Sequence, residues 1–241
     1  MKERIDILMF KNKLVKSRNV ASELIHAGRV EVNGKAITKN SEKIDLGVKI
    51  EILGSMKPYV GRGGIKLERA LLEFNINPTD LTVLDVGSST GGFTECLLRQ
   101  GAKKVYAVDV GTDQFDSELK KDPRIVLMEK TDIRKIKTLP EEIDLVVVDV
   151  SFISLELILE AGKNLVKQNG AIIALIKPQF ETPKESKNKS GVVKEDKIRI
   201  AVLEKIKEFS RKIGLKTLRE IESPILGGSG NKEYFLLLQK G

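Results

Sequence analysis

Four apolar segments constrain this chain more than anything else in it: TVLDV (82–86), KVYAVDV (104–110), IDLVVVDV (143–150) and AIIALIK (171–177). Between or beside them lie stretches with helical apolar spacing, KLERALLEF, GGFTECLLRQG and SLELILEAGKNLVKQNG. Strands that are apolar on both faces and alternate with helices predict a mostly parallel sheet covered on both sides. A shorter strand is predicted at RIVLME, a helix over residues 195–213, and two closing strands at KTLREIES and EYFLLLQ that hint at an antiparallel edge. Ligands of such sheets bind outside the carboxyl ends of the strands. Residues that end strands are therefore the candidates for chemistry, and Lys177, a lone cation leaving an apolar strand in ALIKPQFE, is the sharpest of them.

The first 58 residues read differently. RIDILMFKNKL places Ile5, Leu8 and Met9 at helical spacing. SRNVASELIHAG opens on Ser17, a good N-cap, stops at Gly28, and carries the stripe Val20, Ala21, Leu24 and Ile25. RVEVNGKAI turns at Asn33-Gly34, a strong hairpin signal, and KIEIL supplies another strand. GSMKPYVGRGG is glycine-rich, contains Pro58 and marks a linker. The expected division is a small α+β domain over 1–54, a linker over 55–60 and an α/β domain over 61–241.

Lysine and arginine total 42 against 34 acids, and residues 1–58 hold 12 basic and 7 acidic residues. A small basic segment suits a polyanionic partner, although a solvated lysine-rich surface has the same composition. The single cysteine, Cys96, excludes an intrachain disulfide and reads as a core residue. The single histidine, His26, lies far from the other motifs, which argues against a Ser-His-Asp triad. No Cys or His spacing suggests a metal. The charged N-terminus lacks a signal-type apolar run, and no segment reaches the roughly 20 apolar residues of a membrane helix. A cytoplasmic protein is expected.

The loop LDVGSSTGGF follows the first strand of the α/β domain. Gly87 lets backbone approach a ligand, and Gly91 and Gly92 permit a tight turn into a helix. Ser89 stands where a dinucleotide fingerprint needs its second glycine. Asp85 would oppose a pyrophosphate but suits a cationic, amine-bearing ligand such as S-adenosylmethionine. Asp109 ends the next strand, where a carboxylate can accept from a ribose diol, and Asp132 could reach an adenine amino group. The candidate cofactor set is Asp85, Gly87, Ser88, Ser89, Thr90, Gly91, Gly92, Phe93, Asp109 and Asp132.

Asp149, Lys177, Glu233 and Lys66 sit at three strand termini and near one helix start, where two cations and two anions could interlock as one buried network. The segments GRGGIKLERAL, LDVGSSTGGFTECLLRQGAKKVYAVDVG, DVSFISL, IKPQFE and SPILGGSGNKEYF resemble the TlyA family, whose members carry both the name hemolysin and the name ribosomal RNA 2′-O-methyltransferase. The resemblance covers nearly the whole chain. It implies a Rossmann-like, S-adenosylmethionine-dependent methyltransferase domain of FtsJ type with a Lys-Asp-Lys-Glu tetrad, here Lys66, Asp149, Lys177 and Glu233. One departure is Gly61, where the resemblance leads one to expect serine.

SRNVASELIHAGRVEVNGKAI resembles the small RNA-binding module named after a ribosomal small-subunit protein. Lys16, Arg18, Arg29 and Lys35 could then share one face and contact phosphates, and Arg62 is a further RNA-binding candidate. The implied substrate is a ribosomal RNA or ribosomal subunit, with cytidine ribose as the acceptor. A ribose hydroxyl is a poor nucleophile until a base removes its proton, the role expected of Lys177. The lysine-rich segment TPKESKNKSGVVKE reads as a mobile loop that either faces substrate or only solvates the surface. A membrane-active hemolysin and a non-catalytic RNA-binding protein are the competing readings. Oligomeric state is not legible.

Overall fold

The computed structural model describes residues 2–15, 17–26, 28–53, 59–227 and 230–241. In chain order the first unit runs β1 (Lys2–Arg4), α1 (Ile5–Lys11), α2 (Arg18–His26), β2 (Val30–Val32), β3 (Lys35–Ile37), β4 (Lys43–Asp45) and β5 (Ile50–Ile52). Ser17 Oγ accepts the Val20 N–H at 3.2 Å and caps α2. Asn33 (φ 52°) and Gly34 (φ 76°) are both left-handed, which matches the twist of a two-residue hairpin between β2 and β3. β2 lies between β3 and β5, and Ile5, Leu8, Met9, Leu24, Ile25 and Val30 form the core beneath. The ladder of β1 with β4 was not anticipated. Its sequences, KER and KID, are too short and too charged to show a strand period.

The second unit continues with α3 (Gly63–Phe74), β6 (Thr82–Val86), α4 (Gly92–Arg99), β7 (Lys104–Val108), β8 (Ile125–Met128), β9 (Ile143–Val148), α5 (Leu155–Leu165), β10 (Val166–Ile176), α6 (Pro178–Glu181), α7 (Asp196–Lys212), β11 (Leu215–Glu222) and β12 (Tyr234–Lys240). The sheet order is β11-β12-β10-β9-β6-β7-β8. β10, β9, β6, β7 and β8 are parallel, whereas β12 and β11 form the antiparallel edge. Alternate strand residues face opposite layers. Leu84, Val146, Ile172 and Leu236 pack beneath α5 and α7, and Val83, Leu145, Ile173 and Phe235 pack beneath α3 and α4. Cys96 belongs to the second layer and is fully buried, which pushes its thiol pKa up to about 12.

One boundary differs from the sequence reading. The helix over SLELILEAGKNL stops at Leu165, and β10 starts at once, shifting register between Val166 and Ala171. Asn169 is left-handed (φ 59°), and a Cβ at Gly170 would lie 2.6 Å from the Val166 side chain. The KQNG stretch is thus an irregular strand entry instead of a last helical turn.

Phe235 is fully buried at the centre of the second layer, with its ring 6.3 Å from that of Phe93. Phe235→Ala is expected to cost about 3–5 kcal/mol. Denaturant unfolding should show a lower midpoint, and an unchanged midpoint would refute the packing described.

Candidate active site

Two cavities open at the carboxyl ends of the parallel strands. The smaller, about 340 Å³, is lined by Val60 to Gly63, Gly87 to Thr90, Gly92, Phe93 and Asp149. The larger, about 410 Å³, is lined by Lys66, Ser151, Phe152, Lys177, Gln179, Phe180, Lys187, Gly191 and Glu233. They meet at one ion pair, because Asp149 lines the first, Lys177 lines the second, and Lys177 Nζ lies 2.6 Å from Asp149 Oδ1. The join follows from topology. β9 and β10 are parallel neighbours, so the residues that follow them leave the sheet on the same side.

Glycine shapes the smaller cavity. Gly87 has φ +85°, and a Cβ there would stand 2.4 Å from the Asp149 carbonyl oxygen. Gly91, with φ +95°, packs on Phe115 and Leu119. Ser89 is left-handed too, and its N–H donates to Asp109 Oδ2 at 2.7 Å, while Gly111 N–H donates to Asp109 Oδ1 at 2.7 Å. Ser88 Oγ and Asp85 Oδ1 are buried and have no hydrogen-bond partner among the described residues. A loop with close-approach glycines and unmatched buried oxygens fits a polar cofactor with cationic and donor groups.

The cofactor candidates separate. Gly87, Ser88, Ser89, Thr90, Gly92 and Phe93 border the cavity, although Phe93 is also a core residue. Asp85 lies beneath the loop and is fully buried. Asp109 and Asp132 are not part of the lining. Asp109 braces the loop, and Asp132 is paired with the Arg134 guanidinium at 2.6 Å, which holds its carboxyl below the usual carboxylate range. At Gly61 a Cβ would lie 2.5 Å from Thr90 Oγ1, so a serine there requires Thr90 to turn away.

The four charged candidates resolve into two ion pairs rather than one interlocked network. Lys66 Nζ lies 2.6 Å from Glu233 Oε2, with side chains 9% and 2% exposed. Lys177 pairs with Asp149 and also donates to Ser151 Oγ at 2.9 Å. Gln179, which the sequence reading passed over, donates from Nε2 to Glu233 Oε1 at 3.5 Å. Glu181 of the same KPQFE stretch accepts from Leu155 N–H at 2.7 Å and from Ser154 Oγ at 2.9 Å, so it caps α5. Phe152 is 89% exposed in a left-handed conformation (φ 65°), its ring 4.8 Å from that of Phe180.

The basic candidates of the first unit are dispersed. Lys16 and the side chain of His26 lie outside the described residues. Arg18 pairs with the buried Asp6 at 2.8 Å, and Lys35 is exposed on β3. Arg29 does not share a solvent face with them. It pairs with Glu68 of α3 at 2.7 Å and lies over the Tyr59 ring, tying the first unit to the second. Arg62 donates to the Leu226 carbonyl at 3.3 Å.

Residues 59–240 match the FtsJ-like methyltransferase family, and residues 3–50 match the S4 domain. The 16S/23S rRNA (cytidine-2′-O)-methyltransferase TlyA of Mycobacterium tuberculosis is 37% identical over 239 residues, covering 98% of this chain and 89% of its own. The chain belongs to the TlyA family. A Bacillus subtilis relative, YqxC, provisionally described as an rRNA methyltransferase, is 42% identical over 243 residues, covering 98% of this chain and 85% of its own. A solved structure from Streptococcus thermophilus, provisionally described as a hemolysin, superposes with a TM-score of 0.74 at 41% identity, covering 99% of this chain and 88% of its own.

In this TlyA-family chain the glycine loop over 87–92 rests on an unusual acid. Burial raises the pKa of Asp85 to about 7, nearby Asp149 and Asp109 push it the same way, and the Thr94 hydroxyl at 2.6 Å only partly offsets them. An unfolded aspartate titrates near 3.9. Between about pH 4 and 7 the folded state keeps a proton that the unfolded chain releases, so this group's contribution to stability falls as pH rises, by on the order of 4 kcal/mol in all. Asp85→Asn is expected to flatten that decline, giving a smaller loss of unfolding free energy between pH 4.5 and 7.5 than the parent chain. Parallel pH profiles would contradict the assignment.

Proposed function

We propose that this chain transfers a methyl group from S-adenosylmethionine to a ribose 2′-hydroxyl of ribosomal RNA, with cytidine as the acceptor, as the names of its relatives suggest. The supporting observation is the Asp149–Lys177 pair at the join of two cavities, one suited to a cofactor and one to a nucleotide. The division of labour is an RNA-holding domain over 1–54, a linker over 55–60 and a catalytic domain over 61–241, acting in the cytoplasm. Residue 54 of the first domain and residues 55–58 of that linker lie outside the described residues.

The smaller cavity is where Gly87, Ser88, Ser89, Thr90, Gly92 and Phe93 would hold S-adenosylmethionine, with Ser88 Oγ offering an unmatched acceptor and Asp85 and Asp109 supporting the loop from outside the lining. When bound, it supplies an electrophilic methyl group on its sulfonium. Lys177 is the base. Its amine takes the 2′-hydroxyl proton, and Asp149 and Ser151 fix its direction and stabilise the ammonium that results. Glu233 holds Lys66 on the same cavity wall, where its cation can position the ribose or a phosphate. Alignment of the hydroxyl in one fixed approach supplies much of the rate. Phe152 and Phe180 provide an exposed aromatic platform at the rim, suited to a nucleobase turned out of its stack.

No helix among the described residues is long and apolar enough to cross a membrane. Ribosomal subunits incubated with the protein and labelled S-adenosylmethionine should gain label. Lys177→Ala should lower kcat by about 10²–10⁴-fold with cofactor binding retained in calorimetry. Phe152→Ala should chiefly raise KM for RNA, since a stacked base is worth about 1–3 kcal/mol. A Lys177→Ala protein that methylates at the parent rate would sink the assignment.

A further inference from the structure

Three lysines reach the larger cavity, and two of them are already engaged, Lys66 by Glu233 and Lys177 by Asp149 and Ser151. The third, Lys187, is half-buried, and its ammonium has no hydrogen-bond or ion-pair partner among the described residues. Lys184, Lys189 and Lys194 of the same segment are exposed to solvent instead. A partly desolvated cation on a cavity wall is stabilised by an anion, and among the described residues the one carboxylate in that lining, Glu233, is already taken by Lys66.

The backbone that carries Lys187 is held firmly for so polar a sequence. Asn188 closes a turn on itself, its N–H donating to the Val192 carbonyl at 3.0 Å and its Oδ1 accepting from Ser190 and Val192 N–H at 2.9 and 2.8 Å. Asn231, 1% exposed, grips the turn with both ends of its carboxamide: Oδ1 accepts from Val193 N–H at 2.9 Å and Nδ2 donates to the Gly191 carbonyl at 3.1 Å. Arg199, 7% exposed, donates to the carbonyls of Val193 and Lys194 at 2.6 and 2.8 Å. The segment read from sequence as a mobile loop is therefore an arm anchored at its base. Its anchor, Asn231, lies two residues before Glu233, the partner of Lys66, so one short connection sets both the arm and half of the charged site.

Resting on the methyltransferase reading above, we infer that Lys187 binds a backbone phosphate of the RNA next to the ribose that receives the methyl group. Asn231 is the positioning residue that holds Lys187 there. Phosphate is the anion an RNA presents beside every ribose, and one such contact fixes the strand's register without reading its sequence.

The test combines two readouts on Lys187→Gln, Lys187→Arg and Asn231→Ala. The first is binding to deproteinised ribosomal RNA across a salt series. The second is methyl-transfer kinetics on ribosomal subunits, with S-adenosylmethionine affinity as the control. Lys187→Gln is expected to weaken RNA binding about tenfold at low salt and to lower the salt slope by about one. KM for RNA should rise with kcat little changed, and Lys187→Arg should restore both readouts. Asn231→Ala should reproduce the KM effect, and combining it with Lys187→Gln should add little, since both remove one contact. Should Asn231→Ala fail to fold, the Lys187 variants decide alone. A parent protein that transfers methyl while Lys187→Gln leaves KM and salt slope unchanged overturns the inference only. A parent protein with a Lys187-dependent salt slope but no transfer sinks the methyltransferase reading and leaves the phosphate contact standing.

Discussion

The ion pair between Asp149 and Lys177 is the constraint on which the rest of the site depends. It joins the ends of two neighbouring parallel strands, and its two members face two different cavities. Charges so little exposed are tolerated only when paired, and removing either leaves the other uncompensated, at a cost of about 3–5 kcal/mol for a fully buried pair. The second pair, Lys66 with Glu233, joins α3 of one layer to the residue just before the antiparallel strand β12. Together they fix Lys66, Lys177 and Glu233 on the wall of the larger cavity and Asp149 on the wall of the smaller, and fixed positions of this kind are what the proposed proton transfer requires.

α3 links this site to the first unit. Lys66 points from it into the larger cavity, and Glu68, two residues on, takes Arg29 from the first unit. Tyr59 lies in the same junction, buried, with the Arg29 and Arg99 guanidinium groups over its ring. A residue that looked from sequence like a phosphate contact thus serves as a join between units. RNA held by the first unit and chemistry in the second would communicate through one helix.

Elements with a clear period were legible in the sequence. The parallel strands, the Asn33-Gly34 hairpin, the Ser17 cap and the antiparallel edge all follow from apolar spacing and turn chemistry. The three-residue strands β1 and β4 were not legible, because KER and KID carry no alternation. The early end of α5 was hidden because VKQNG continues a helical pattern and only a tertiary register shift converts it to strand. Within the site, residues at strand ends announced themselves by position. Glu181, Gln179, Asn231 and Arg199 did not, since their partners lie 26, 54, 38 and 6 positions away and no local rule pairs them. The single network expected of the four charges became two pairs for the same reason: spacing shows which residues reach a sheet edge but not which cation meets which anion.

The most direct measurement is nucleoside mass spectrometry on ribosomal RNA after incubation of subunits with the protein and S-adenosylmethionine, because it tells a ribose methyl from a base methyl. A new 2′-O-methylcytidine is the product the proposed reading predicts, with Lys177 as the proposed base and Phe152 and Phe180 as the proposed platform. A methyl group on a base nitrogen or carbon, or none at all on either subunit, would contradict the assignment of Lys177 as the base that activates a ribose hydroxyl.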